Sequence, residues 1–169
     1  AHTHIVIPPI AQVYRNDYRT LESRFGIDSE PIQATLCSES GNTHYSNYRT
    51  NKVKIGRDGE IGVSQLLPEA LPSYLKELAM LHSVVNRRGL RRLTGDQQKA
   101  YRAAKFFLEN YIDLNDLSRA YTTNSRSAAK FRRVTNRRVL EEIHEDPIED
   151  SRLGVMHWLF DDVQIRKEC

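Results

Sequence analysis

Strand-like alternation is almost absent from this chain; only "HIVI" near the N-terminus reads that way. Apolar residues instead recur three and four apart, in segments bounded by capping and stop signals, the pattern of helices that bury one face. A mostly helical protein with little or no sheet follows from that pattern.

The punctuation locates the segments. "IAQVYRNDYRTLESRF" puts Ile10, Val13, Tyr14, Leu21 and Phe25 on one helical face, with Gly26 as a stop. "DSEPIQATLCSESG" offers Asp28 or Ser29 as a cap, Pro31 in the first turn and Gly41 just past the end. Residues 42–58 carry little periodicity and read as a polar loop, with room for a short hairpin. "PEALPSYLKELAMLHSVV" reads as a helix ending before Gly89, and "TGDQQKAYRAAKFFLENYI" opens on a Thr94–Gln97 capping box. "LNDLSRAYTTN" gives a further short helix. "RLGVMHWLFDDVQIRK" spaces Leu153, Met156, Leu159, Phe160 and Val163 helically.

Length and composition set bounds on what these helices build. A chain of 169 residues is one domain by length and buries a continuous core without staples. No apolar run is long enough to cross a bilayer as a helix. Because the first residue is Ala1, either a leader has been removed or the chain is a fragment. Cys37 and Cys169 make no disulfide framework; both read as unpaired, Cys37 as a small buried hydrophobe within its helix. His44, His82, His144 and His157 show no metal-ligand spacing, so neither a metal nor a cofactor is expected. Charge is distributed unevenly: residues 84–140 hold 14 basic and 4 acidic side chains, and residues 141–169 hold 3 basic and 9 acidic ones. A middle segment that positive attracts a polyanion or the protein's own acidic tail.

One carboxylate stands out. Glu39 lies in the last turn of the second helix, where the negative end of the macrodipole disfavours a charged carboxyl. A general acid working near neutral pH needs a push in that direction, although most helix-end glutamates are simply solvated. Taken alone, Gln65 in "GEIGVSQLLPEAL" is equally a capped polar group at a helix start, and Tyr121 is equally a core residue. "NTHYSNY" supplies Tyr45 and Tyr48, which suit either stacking on sugar rings or packing over the core edge.

Read in order, "ESG" (39–41), "GEIGVSQLLP" (59–68) and "LSRAYTTN" (117–124) resemble the motifs of the lytic transglycosylases of the lysozyme-like superfamily. Those domains carry E-S-G, then G-A-x-G-L-M-Q-x-x-P, then A-Y-N-A-G. The resemblance covers about residues 28–130. It implies a single lysozyme-like domain over 1–169; the C-terminal helical extension at about 139–169 lies beyond the family core and is expected to fold back as a closing helix with Trp158 and Phe160 partly buried. It also implies roles. Glu39 would be the catalytic acid/base and Ser40 its neighbour shaping the site. Gln65 would reach the sugar's N-acetyl or hydroxyl groups, Val63 and Ser64 would floor the groove, and Tyr121 would hydrogen-bond near Glu39.

Glycosidases commonly use two carboxylates; the family implied here uses one. The acid protonates the glycosidic oxygen, the substrate's own C6 hydroxyl attacks the anomeric carbon, and the product ends in a 1,6-anhydro-muramyl ring. The expected substrate is therefore the MurNAc–GlcNAc bond of peptidoglycan, met outside the cytoplasm at the cell wall, with a phage particle or a secretion or conjugation machine as possible carrier. Three departures are visible. The loop after Glu39 is longer than the compact family pattern, Glu60 stands where Ala is usual, and Thr122–Thr123–Asn124 replace Asn-Ala-Gly. Glu60 and Asp58 are accordingly candidate second carboxylates for a hydrolase. The rival reading is a basic nucleic-acid-binding helical domain using "NRRGLRR" and "SRSAAKFRRVTNRR".

Overall fold

The helical period is realised almost throughout. The computed structural model describes residues 10–168 apart from Asn42, Tyr48 and Asn51, and leaves the side chains at 10–14, 47, 143, 144, 159 and 161–168 undescribed. The expectations placed on "HIVI", Tyr48 and Cys169 therefore lie outside the described residues, as do those on the side chains of Ile10, Val13, Tyr14, Leu159 and Val163.

Seven α-helices are described: α1 (Ile10–Phe25), α2 (Glu30–Ser40), α3 (Leu71–Arg88), α4 (Gly95–Leu108), α5 (Leu114–Thr122), α6 (Arg126–Glu145) and α7 (Pro147–Glu168). A short 3-10 turn, Leu90–Arg92, joins α3 to α4. Between α2 and α3 lies the one described sheet, two antiparallel strands β1 (Tyr45–Asn47) and β2 (Lys52–Val53). The protein is mostly helical, and none of its described helices is long and apolar enough to cross a membrane.

Local chemistry accounts for the helix ends. Thr94 and Gln97 form the reciprocal capping box, Asp113 accepts the Asp116 N–H, and Ser125 accepts the Ala128 N–H. Each such cap is worth about 1 kcal/mol. At the start of α2 the duties divide: Asp28 Oδ1 accepts the Glu30 N–H at 3.1 Å, while the Ser29 hydroxyl donates to Glu22 Oε1 at 2.5 Å and accepts from Gln33 Nε2. Gly26 and Gly41 both stop their helices at φ 64, a left-handed conformation that a side chain would strain.

The core runs through all the helices. Phe25 of α1 meets Phe106 and Phe107 of α4, with ring centroids 5.7 and 6.5 Å apart. Leu75 and Leu78 of α3 and Leu117 of α5 are sealed in the same cluster, with Val139 of α6 and Leu153, Val155, Met156 and Phe160 of α7. Fully burying one such side chain stabilises the fold by about 1.5–3 kcal/mol. Buried His82 ties three helices together, with Nδ1 2.7 Å from the Tyr101 hydroxyl and Nε2 2.8 Å from Asn115 Oδ1.

Two features differ from the sequence-based expectation. Cys37 is exposed rather than buried, because the buried stripe of α2 runs through Ile32, Leu36 and Ser40. The arginine-rich stretch after Ser125 is the 20-residue helix α6, which buries Ala128, Thr135 and Val139. The C-terminal segment does fold back as a helix, with Phe160 fully and Trp158 partly buried. It is part of the same core as α1 and α4 rather than an appendage.

Candidate functional site

The segment between α2 and α3 is built as successive hairpins. Lys54 N–H donates to the His44 carbonyl, Gly56 N–H to Glu60 O, and Gly62 N–H to Lys54 O, which carries the pairing beyond β2. Ile61 then bridges to both Ile55 and Leu66. Ile61 and Leu66 exchange both backbone hydrogen bonds, at 2.9 and 3.0 Å, closing a tight turn over Gly62, Val63, Ser64 and Gln65. Two residues of that turn have left-handed backbones: Gly62 at φ 77 and Gln65 at φ 50. Gln65 is the one non-glycine residue with positive φ among those described. Such a conformation is uncommon outside glycine and costs about 1–3 kcal/mol, so it persists where the surroundings over-determine it.

Glu39 and this turn are linked through Lys54. Its backbone carbonyl accepts the Gly62 N–H, and its ammonium donates to the Ser40 carbonyl at 3.2 Å. A cation against the last carbonyls of α2 complements the helix dipole at the end that carries Glu39. The Glu39 side chain itself is exposed. Ser40 is buried, its hydroxyl donating to Leu36 O, while its carbonyl also accepts from the Thr43 hydroxyl.

The remaining expected residues distribute as follows. Gln65 is half-buried; its Nε2 donates to Gly62 O at 2.7 Å. Ser64 and Val63 are buried beneath the turn, Val63 against Tyr18 of α1. Glu60 is half-buried and its Oε2 accepts the Asp58 N–H at 3.4 Å, whereas the Asp58 side chain points to solvent. Glu60 and Gln65 converge on Gly56: a Cβ there would stand 1.8 Å from Glu60 Oε2 and 2.5 Å from Gln65 Oε1. The sequence did not single out Gly56, yet its missing side chain is what lets these two polar groups share one face.

The Tyr121 hydroxyl, expected to hydrogen-bond near Glu39, donates to Asn136 Oδ1 of α6 at 3.3 Å, and the Arg132 guanidinium lies 5.8 Å from its ring. The physical reason is local: α6 starts four residues after α5 ends and brings an amide acceptor and a cation to the tyrosine. Burial pushes the phenol up from its ordinary value. A cavity of about 300 Å³ opens at the same corner, between Ala120 and Thr123 on one side and Ser125, Ala128 and Phe131 on the other. Tyr45 is buried, edge-on to His44 at 4.3 Å, and takes the packing role rather than an exposed stacking one.

Beneath the turn lies a polar cluster that the sequence did not reveal. Asp150 of α7 places Oδ2 2.5 Å from His44 Nδ1 and 2.9 Å from the Val63 N–H, and both side chains are buried. Nearby, the Ser151 hydroxyl donates to Asp17 Oδ2 at 3.2 Å, and Arg152 Nε stands 3.8 Å from Asp17 Oδ1. The His44 ring is completely sealed from solvent, so this pair meets no substrate; its chemistry is structural. Among the described residues no group of three or more His, Cys, Asp or Glu side chains could hold a metal ion.

No protein-family model, curated protein or solved structure matches this chain. The geometry and the motifs carry the functional reading alone.

Proposed function

We propose that the protein is a peptidoglycan lytic transglycosylase in a lysozyme-like domain, with Glu39 as its single acid/base. The observation that carries this reading is the link through Lys54. An exposed glutamate at a helix end is tied to a glycine turn that presents Gln65, in the order of the family motifs though across a longer loop. Exposure leaves the carboxyl open to a glycan strand approaching from outside. Glu39 protonates the glycosidic oxygen, the muramyl C6 hydroxyl attacks the anomeric carbon, and the same carboxylate then accepts that hydroxyl's proton. Half-buried Gln65 belongs to the surface facing the sugar, and Ser64, buried with Val63 beneath the turn, supports it from behind. Tyr121 is held by its hydrogen bond to Asn136 of α6.

The hydrolase alternative rests on Glu60, which shares the Gly56 face with Gln65. Digestion of purified peptidoglycan by the wild type and by Glu39→Gln, with mass spectrometry of the released sugars, separates the two. Anhydro-muramyl ends from the wild type alone support the transglycosylase. Reducing ends point to Glu60-assisted hydrolysis, and no release from either protein removes the enzyme reading. Because Glu39 is exposed, the substitution should leave stability within about 0.5 kcal/mol.

A second reading has its own observation. Arg126, Lys130, Arg133 and Arg137 are all exposed on α6 at positions spaced four, three and four apart, one stripe of a helix, and Phe131 and Val134 are exposed alongside. That is a surface for a phosphate backbone. If it binds single-stranded nucleic acid, affinity should fall with salt at a log–log slope of roughly −3 for four contacts, and Glu39→Gln should leave it unchanged.

A further inference from the structure

The candidate turn is held from below by a helix outside the motif region. Asp150 Oδ2 takes the Val63 N–H and His44 Nδ1 together. Its other oxygen lies where a Gly62 Cβ would be, only 2.1 Å from that position, so the carboxylate rests flat against the turn backbone. One helical turn further along α7, Gly154 does the same with a bare backbone: a Cβ there would stand 3.1 Å from both Ser64 Cβ and Val63 Cγ1. Ser151 and Arg152, between them, engage Asp17 of α1 and set the rotation of α7 about its axis. The strained left-handed backbone of Gln65 needs surroundings that over-determine it, and these contacts supply them.

We infer that Asp150, with Gly154 one turn on, is a positioning element for the candidate site: α7 fixes the Gly62–Gln65 turn and thereby the placement of Ser64 and Gln65 relative to Glu39. The inference deepens the transglycosylase reading and rests on it for its activity readout, but its structural readout is independent. Holding reacting groups in register is worth large factors in rate, and a displacement of about 1 Å can cost on the order of 100-fold.

The experiment compares the full-length wild type, Asp150→Asn and Gly154→Ala. Asp150→Asn keeps one oxygen acceptor and replaces the other carboxylate oxygen with an amide nitrogen, so the group can no longer meet His44, the Val63 N–H and Gly62 in the same way. Gly154→Ala favours helix, unpairs no buried polar group, and presses a methyl group on Ser64 and Val63, so it tests the same contact without touching the His44–Asp150 pair. Amide hydrogen exchange is read at Val63, Gln65 and Leu66 against the α3 and α4 core amides, and peptidoglycan turnover is read as kcat and KM. The expected result is exchange at the three turn amides at least tenfold faster relative to the core in Asp150→Asn and several-fold faster in Gly154→Ala. Turnover should lose at least tenfold in kcat, with KM shifted less than threefold. Turn amides as protected as in the wild type in both variants would overturn the inference. So would loosened amides with undiminished kcat. A wild type without activity on peptidoglycan would count against the proposed function; exchange at the turn alone would then decide whether α7 positions it.

Discussion

Gly59 and Gly62 belong to the same motif, and both have left-handed backbones, φ 86 and φ 77. Replacing either by alanine therefore carries the same conformational penalty, about 1–2 kcal/mol. They differ in what the new methyl group meets. At Gly59 nothing lies within 4 Å. At Gly62 the Cβ would stand 2.1 Å from Asp150 Oδ1 and 2.7 Å from Asp150 Cγ. The carboxylate has no free direction of retreat, because its other oxygen is held by His44 at 2.5 Å and by the Val63 N–H at 2.9 Å. Moving it aside breaks a buried, hydrogen-bonded pair, a change of about 3–5 kcal/mol. Gly62→Ala should therefore destabilise the protein by about 4 kcal/mol or more, a large fraction of the total stability of an ordinary domain. With about 2–4 °C lost per kcal/mol in a chain of this size, Gly59→Ala should lower Tm by about 3–6 °C and Gly62→Ala by about 10 °C or more. Differential scanning calorimetry on the two variants side by side is the assay. Equal decreases would refute the reasoning, since the backbone term alone would then account for both and Asp150 would have yielded freely.

Other substitutions test other parts of the structure. Gly56→Ala places a methyl group against the ends of two flexible side chains, Glu60 and Gln65; Tm should change by less than about 3 °C while peptidoglycan turnover drops, and unchanged turnover would mean that neither side chain faces the sugar. Phe107→Ala empties a site that is 1% exposed beside Phe25 and Phe106 and should cost about 3–5 kcal/mol in urea unfolding. Burial and the neighbouring Glu142 hold the Glu149 carboxyl up at about 8, so the folded protein keeps a proton there that the unfolded chain releases near 4.5. This group's contribution is present below that lower value and is lost as pH rises through about 8; Glu149→Gln should flatten the fall in Tm between about pH 5 and about pH 9. Burial pulls the His157 imidazole down to about 4 from 6.5, so its contribution is present at neutral pH and is lost as acid protonates the unfolded chain first. His157→Phe should then lessen the loss of Tm from about pH 7 to about pH 4, and an unchanged acid limb would contradict the assignment.

The helices were legible where the chain marks them chemically. Thr94 with Gln97, Gly26, Gly41 and the apolar repeats of α3 and α4 are local signals, and the backbone follows them. α6 is hard to see in the sequence because its five arginines and single lysine mask a narrow buried stripe. Ala128, Thr135 and Val139 recur seven and four apart, a helical interval, but alanine and threonine are weak apolar markers. Cys37 misled for the opposite reason, an apolar residue type on the exposed side of a short helix. The Tyr121 contact depended on which helix followed α5, and that helix had been missed.

The candidate site divides the same way. The local settings of Glu39, in the last turn of α2, and of Gln65, in a glycine turn, could be read because Gly41, Gly59 and Gly62 mark them nearby in the chain. The foundation of the site could not be read. His44 and Asp150 lie 106 residues apart, and in sequence Asp150 is one more acid in a run that looks solvated. Nothing local distinguishes it from Asp146 or Glu145, one half-buried and the other exposed. What sets it apart is the close approach of α7 to a turn that has a glycine where the carboxylate lands, matched by a glycine on α7 where Ser64 lands. Those two glycines were the available signal. Gly62 is accounted for by its turn, but Gly154 sits inside a helix, where glycine is unfavourable by about 1 kcal/mol relative to alanine. A helix retains such a residue at little benefit to itself; the close contact with Ser64 and Val63 supplies the reason.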